Sequence, residues 1–257
     1  MSHNDLVIKN VSKTFEVNKA AVNVLDHVSI EIQSGEFICI VGHSGCGKST
    51  LLKIIAGLLE CNSGSVKLDG KVILAPDTDV GMIFQEHRLF PWLTVAENVA
   101  LGLDNISGDK RERIVSEYLE LVKLTGFETA YPHQLSGGMA QRASIARSLV
   151  NNPKVLLLDE PFGALDALTR MQMQQEILRI WEKEKNTMIL VTHDIDEAIY
   201  LGDRVVVMSS RPGRILDIFQ ISLQRPRDRA DSLLSNLKTA IYSCFMPADH
   251  LATKEMA

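Results

Sequence analysis

The sequence has no apolar run near the ~20 residues that a membrane-spanning helix requires. Its apolar runs are strand-sized, such as Phe37–Val41 and Val155–Leu158. It has no low-complexity tract and no repeat of solenoid period, which excludes a stacked array. Positive charge is not in excess. The formal net charge is -5, which argues against a general nucleic-acid binder. The four cysteines, Cys39, Cys46, Cys61 and Cys244, include no CxxC pair and no Cys/His group with metal-ligand spacing. They read as reduced thiols. Residues 1–10 are polar and carry no secretory signal. The expectation is a cytosolic protein that would serve any membrane process from the surface.

What is present fits one large α/β domain with a small inserted lobe. The chain has 257 residues, and 46% of them are hydrophobic, enough to form a substantial core. Val28–Ile32 alternates with period two, and Glu36–Val41 is a near-continuous apolar strand of the kind found in covered parallel sheets. A helix is expected from Lys48, with Leu51, Leu52, Ile55 and Leu58 on one face. Gly64–Leu68 and Val80–Phe84 are further strand candidates. From about Glu86 to Asn152 the pattern turns helical, with a capping box at Thr94 to Glu97. Strand and helix then alternate: strands over 154–158, 188–192 and 204–209, helices over 168–184 and 194–201. That rhythm predicts a mainly parallel sheet with helices on its faces.

Three segments carry chemistry. The nine residues Gly42, His43, Ser44, Gly45, Cys46, Gly47, Lys48, Ser49 and Thr50 fit GxxxxGK[ST] between a strand and a helix. Glycines there let backbone N–H groups and the helix start meet phosphate oxygens. Lys48 is expected on the β- and γ-phosphates and Ser49 on Mg²⁺, so the cofactors expected are ATP and Mg²⁺. The apolar strand Val155–Leu158 ends in Asp159 and Glu160. In such sheets ligands gather at the carboxyl ends of strands. Asp159 is expected to hold Mg²⁺, and Glu160 to polarise a water as general base or orienter. Ser136, Gly137 and Gly138 open a third segment, a capped helix start with bare N–H groups that could take a second anion; alone it reads as an ordinary capped helix.

With these residues in this order, the chain resembles the ATP-binding subunits of ATP-binding-cassette (ABC) transporters, from Val11 to about Arg214. Leu135–Met139 reads LSGGM where the family has LSGGQ, so Met139 is a departure. The resemblance implies a P-loop ABC ATPase core with a mainly parallel sheet, N-terminal antiparallel strands and an inserted helical subdomain. It implies that Gln85 senses Mg²⁺ and water, that His193 contacts the γ-phosphate, and that Asp166 lies in a loop crossing a dimer interface. Phe15 would stack on adenine or simply fill the core. Two copies would pair head to tail, with ATP between one P-loop and the other copy's Ser136–Gly138. The implied domain spans 5–230, with a nucleotide-binding core of 5–86 and 153–222, a helical subdomain of 87–152 and a tail of 223–257.

Finer similarity points to the nitrate, sulfonate and taurine importer group. It lies in Phe84–Val95, Glu160–Arg170 and Ser210–Arg214, and the first stretch is most similar to aliphatic-sulfonate ATPases. His43 in the P-loop also occurs among nitrate and cyanate ATPases. The resemblance implies an ATPase at the cytoplasmic face of the inner membrane. Its partners would be a second ATPase subunit, an integral-membrane permease contacted near Glu86–Trp92 and, indirectly, a solute-binding protein. A regulatory ATP-binding module without transport is the alternative of another class.

Overall fold

The computed structural model describes residues 6–103, 106–163 and 165–246. The chain opens with a long antiparallel hairpin, β1 (Leu6–Val17) and β2 (Ala20–Ile32). Asn18 and Lys19 join them with φ of 50° and 65°, the left-handed pair that a two-residue turn needs to match strand twist. Strand β3 (Phe37–Val41) and helix α1 (Lys48–Ile55) follow. Strands β4 (Ser63–Leu68) and β5 (Lys71–Val72) then complete a four-stranded sheet in the order β2-β1-β4-β5.

β6 (Val80–Ile83) leads into three helices: α2 (Val95–Ala100), α3 (Asp109–Leu121) and α4 (Gly137–Leu149). The capping box holds: Thr94 N–H donates to Glu97 Oε2 at 2.7 Å, and Glu97 N–H donates to Thr94 Oγ1 at 3.2 Å. The chain returns through β7 (Val155–Asp159), α5 (Ala167–Glu184), β8 (Thr187–Thr192), α6 (Ile195–Leu201), β9 (Arg204–Met208), β10 (Ile215–Gln220) and α7 (Ser232–Ser243). The second sheet runs β10-β9-β3-β8-β7-β6. Only β10 is antiparallel to its neighbour.

The inner strands of that sheet are covered on both faces, which is why they lack alternation. Phe37, Cys39 and Val41 join one buried cluster with Val99, Leu119, Ala143 and Ile177 of the helices. Ile38 and Ile40 face the other way, into a cluster with Leu6, Val28, Leu52 and Val66. Successive residues of β3 thus belong to two different cores, as a period of two demands. Each such aliphatic side chain contributes about 1.5–3 kcal/mol of burial.

One expectation is corrected. Leu58 is not on the α1 face. The helix ends at Ile55, Gly57 turns the chain at φ +68°, and Leu58 is exposed. A Cβ at Gly57 would lie 2.3 Å from the Ala75 carbonyl oxygen, so only glycine makes that turn. The start of the tail is tied to the core. Arg227 is buried, and its Nη1 donates to the carbonyls of Ile199, Tyr200 and Gly202 at 3.0, 3.0 and 2.7 Å. It satisfies the otherwise orphaned carbonyls at the end of α6. Burial lowers its pKa to about 10. The expected domain start at residue 5 and the tail over 247–257 lie outside the described residues.

Candidate nucleotide site

The loop between β3 and α1 is built by glycine geometry. Gly45 and Gly47 have φ of +77° and +106°. A Cβ at Gly47 would lie 2.7 Å from Leu25 Cδ2 and 3.0 Å from the Val24 carbonyl oxygen. Lys48 is buried, and its Nζ donates to the carbonyls of Gly42 at 2.7 Å and His43 at 3.1 Å. A buried ammonium needs such partners, and here they tie the two ends of the loop together. Gly47 gives α1 no side-chain cap, so the helix start is bare of side-chain acceptors. Cys46 is buried beneath the loop, and the ring of His43 meets Phe245 of the tail edge-on at 5.0 Å.

Three neighbouring strand ends face this loop. Asp159 ends β7 and accepts from Ser49 Oγ at 2.7 Å. Burial pushes its carboxyl pKa up and the Glu160 charge adds to that, while the Ser49 hydrogen bond and Lys53 and Lys48 oppose it. Glu160 follows with φ +45°, and its Oε2 lies 3.1 Å from Nδ1 of His193, just past β8. A Cβ at Gly163 would lie 3.9 Å from Glu160 Oε2 and 4.0 Å from Gln85 Nε2, so Gln85, beyond β6, faces the same point. The structure therefore gathers Gln85, Asp159, Glu160 and His193 around Ser49.

Gln85 and Glu160 line a cleft of about 480 Å³ with the P-loop on one side. Phe15, half-buried, forms the opposite wall with Val17, Val22 and Val24 of the hairpin, and Arg211 closes the rim. The valines and Arg211 escaped the sequence reading. Val17 lies on β1 and Val22 and Val24 on β2, with Val24 at a register shift, and Arg211 sits in a turn whose only local signal is Pro-Gly. The donor chemistry fits both groups expected here. A hydroxyl beside a half-desolvated carboxylate is a hard-oxygen pair suited to Mg²⁺, which usually takes few protein ligands. Among the described residues no cluster of three His, Cys, Asp or Glu could hold a metal by itself. A bare helix start, an N–H-rich loop and a lysine suit phosphates.

Ser136, Gly137, Gly138 and Asp166 lie elsewhere. Ser136 caps α4 through Met139 N–H at 3.3 Å, and Ser136 and Gly137 are exposed. Asp166 caps α5 by accepting from Leu168 and Thr169 N–H, both at 3.1 Å. Its hydrogen bonds to Thr169 hold its pKa below the usual carboxylate range. Gly138 packs on Thr169 and Gly137 on Leu165, so the two segments form one surface outside the P-loop cleft. Met139 packs against the core, so its departure from glutamine alters packing and leaves the Ser136 cap in place.

Residues 25–163 match the ABC transporter family. The chain belongs to that family. It is 50% identical to the aliphatic sulfonates import ATP-binding protein SsuB of Bacillus thuringiensis subsp. konkukian, over 93% of this chain and 94% of that protein. It is 49% identical to the bicarbonate transport ATP-binding protein CmpD of Synechococcus elongatus, over 87% of this chain and 82% of that protein. Among solved structures it is similar to a dimeric ATP-binding cassette in a post-hydrolysis state, bound to ADP and Pi. That match has a TM-score of 0.75 and 35% identity, and it covers 85% of this chain and 100% of the other. The mixed sheet with its antiparallel N-terminal strands and helical insertion is the ABC ATPase fold. As a member of the family, the chain is an ABC ATPase that works on ATP with Mg²⁺.

Proposed function

We propose that this chain is the ATP-hydrolysing subunit of an importer for a small anion, of the aliphatic sulfonate class. The observation that carries the reading is the pairing of Ser49 with Asp159 beside Glu160 and His193, at the rim of a glycine-built phosphate loop. Lys48 and the loop amides would hold the β- and γ-phosphates. Ser49 and Asp159 would hold Mg²⁺, whose charge supplies electrophilic stabilisation of the transferring phosphoryl group when it is bound. Glu160 orients the attacking water and accepts its proton at Oε2. His193 fixes that carboxylate through Nδ1. Gln85 offers an amide to the same water. Phe15 supplies an aromatic face for adenine, with Lys13 Nζ 5.2 Å from its ring centre.

Ser136, Gly137 and Gly138 would complete the site of a second copy. The exposure of Ser136 and Gly137 and the segment's place outside the chain's own cleft support that reading, as does the dimeric state of the solved relative. The core is assigned to 5–86 and 153–222, the helical subdomain to 87–152 and the tail to 223–257. Among the described residues no helix is long and apolar enough to cross a membrane. By its likeness to import ATP-binding proteins, the subunit would act at the cytoplasmic face, docked on a permease that receives solute from a solute-binding protein. The exposed Trp92, tilted against Phe90 at 5.3 Å, supports a docking surface over Glu86–Trp92.

The sulfonate class rests on the SsuB likeness. Bicarbonate is the second reading, favoured by the CmpD likeness at nearly equal identity. Uptake of labelled alkanesulfonate, and separately of bicarbonate, by cells carrying the complete transporter tests both. Uptake of alkanesulfonate that stops in a Glu160→Gln strain is the expected result. Uptake of bicarbonate alone would transfer the assignment. Uptake of either that survives Glu160→Gln would favour a regulatory module.

A further inference from the structure

The turn Ser209–Arg214 is moulded onto the phosphate loop. Ser209 Oγ donates to the Pro212 carbonyl at 2.8 Å and accepts from Arg214 N–H at 2.9 Å, which shapes the turn. Gly213 N–H donates to the Val24 carbonyl at 2.8 Å, and the Gly213 carbonyl accepts from Asp26 N–H at 3.0 Å, which fixes the turn to β2. Arg214 Nε reinforces that attachment on Asp26 Oδ2 at 2.7 Å. A Cβ at Gly213 would lie 2.2 Å from the Cys46 carbonyl oxygen, so the turn touches the loop backbone directly. From this anchored base Arg211 donates twice to the Gly45 carbonyl, through Nη2 at 3.1 Å and Nε at 3.3 Å. The same side chain lines the cleft opposite Lys48.

Gly45 sits at φ +77° and carries no side chain to hold it there. Glycine loses more conformational freedom on ordering than any other residue. A forked guanidinium on its carbonyl restricts that freedom before any ligand arrives, and preorganisation of this kind strengthens binding. We propose that Arg211 is a positioning residue of the nucleotide site, holding the phosphate loop in its ligand-ready shape through the Gly45 carbonyl. The proposal rests on the reading of this loop as the ATP site.

The test uses the full chain with Arg211→Ala and Arg211→Lys, the second keeping the charge but losing the fork. Equilibrium binding of ATP is measured, together with amide exchange of the nucleotide-free protein. Arg211→Ala is expected to raise the Kd for ATP about tenfold, equivalent to about 1.4 kcal/mol. It should also speed exchange at Cys46 and Gly47 while β3 and β8 exchange as in the wild type. Arg211→Lys should fall between the two in both measurements. Wild-type Kd and unchanged exchange in Arg211→Ala overturn the proposal. So does exchange that accelerates throughout β3, which marks general destabilisation. Loop exchange needs no nucleotide, so a wild type that failed to bind ATP would overturn the ATP reading separately.

Discussion

The surfaces around Ser49 and around Ser136 are built on opposite plans. Around Ser49 the polar side chains come from separate strand ends and bond to one another: Ser49 to Asp159, and Glu160 to His193. Around Ser136 each polar side chain serves its own helix, Ser136 capping α4 and Asp166 capping α5. The first surface is a cleft with a wall, a floor and a buried lysine. The second is an open shelf. A reaction that excludes water and holds a phosphate from both sides needs both, and the shelf lies outside its own chain's cleft. The difference fits the proposal that one surface receives ligand and the other completes a neighbour's site.

The largest expected effect probes the cleft. Glu160→Gln should lower turnover about 10²- to 10⁴-fold, the usual contribution of a positioned base, while ATP binding persists. Equilibrium binding beside steady-state hydrolysis reads both, and retained turnover would remove Glu160 from its role. Next, Lys48→Ala damages only the cleft and Ser136→Arg only the shelf. Each alone should hydrolyse at background. An equal mixture should recover up to about one quarter of wild-type turnover, because half of randomly paired dimers carry one intact composite site. No recovery would break the division of labour between the two surfaces.

A smaller effect sharpens the shelf. Asp166→Ala removes the α5 cap and should lower the thermal midpoint by a few degrees, whereas Asp166→Asn, an equally good cap, should not. If Asp166→Asn nevertheless slows turnover, its charge acts across the interface as well. The smallest effect concerns α6, which begins just after His193. Glu197 on α6 is buried and accepts from Gln174 Nε2 at 3.3 Å. Burial and the Asp194 charge raise its pKa to about 8 from an ordinary 4.5. Between those values the unfolded chain has released a proton that the folded chain keeps, so this group makes stability fall as pH rises. Glu197→Gln should match the wild type near pH 5 and be the more stable of the two near pH 8. Denaturant melts at the two pH values decide it.

The elements that position the cleft were legible because their signals are local. β3 and β7 are unbroken apolar runs, the P-loop has fixed spacing, and the Thr94 box states its own helix start. β1 was not, for a physical reason. Asn10 at φ 50° and register shifts after Ile8 and Val11 break its alternation, so no period of two survives over Leu6–Val17. β10 alternates only weakly because it is an edge strand with Leu216 and Ile218 exposed. Within the site, Ser49 and Asp159 are 110 positions apart and meet only through the β3-β8-β7 sheet order. Only a resemblance, not a pattern, could bring them together beforehand. Arg211 lies in the similar stretch Ser210–Arg214, yet no role came with it, since a guanidinium on a distant carbonyl leaves no trace in spacing.

One feature of β3 also bears on how the phosphate loop finds its place. Its odd-numbered residues fill one core and its even-numbered residues the other. A slip of one position would drive Phe37 into a space shaped for Ile38 and strand Ile40 among the helices. Both errors would arise together, so the strand has a single permitted phase. The loop at its tip is located along the sheet by that phase as firmly as a tooth by its gear.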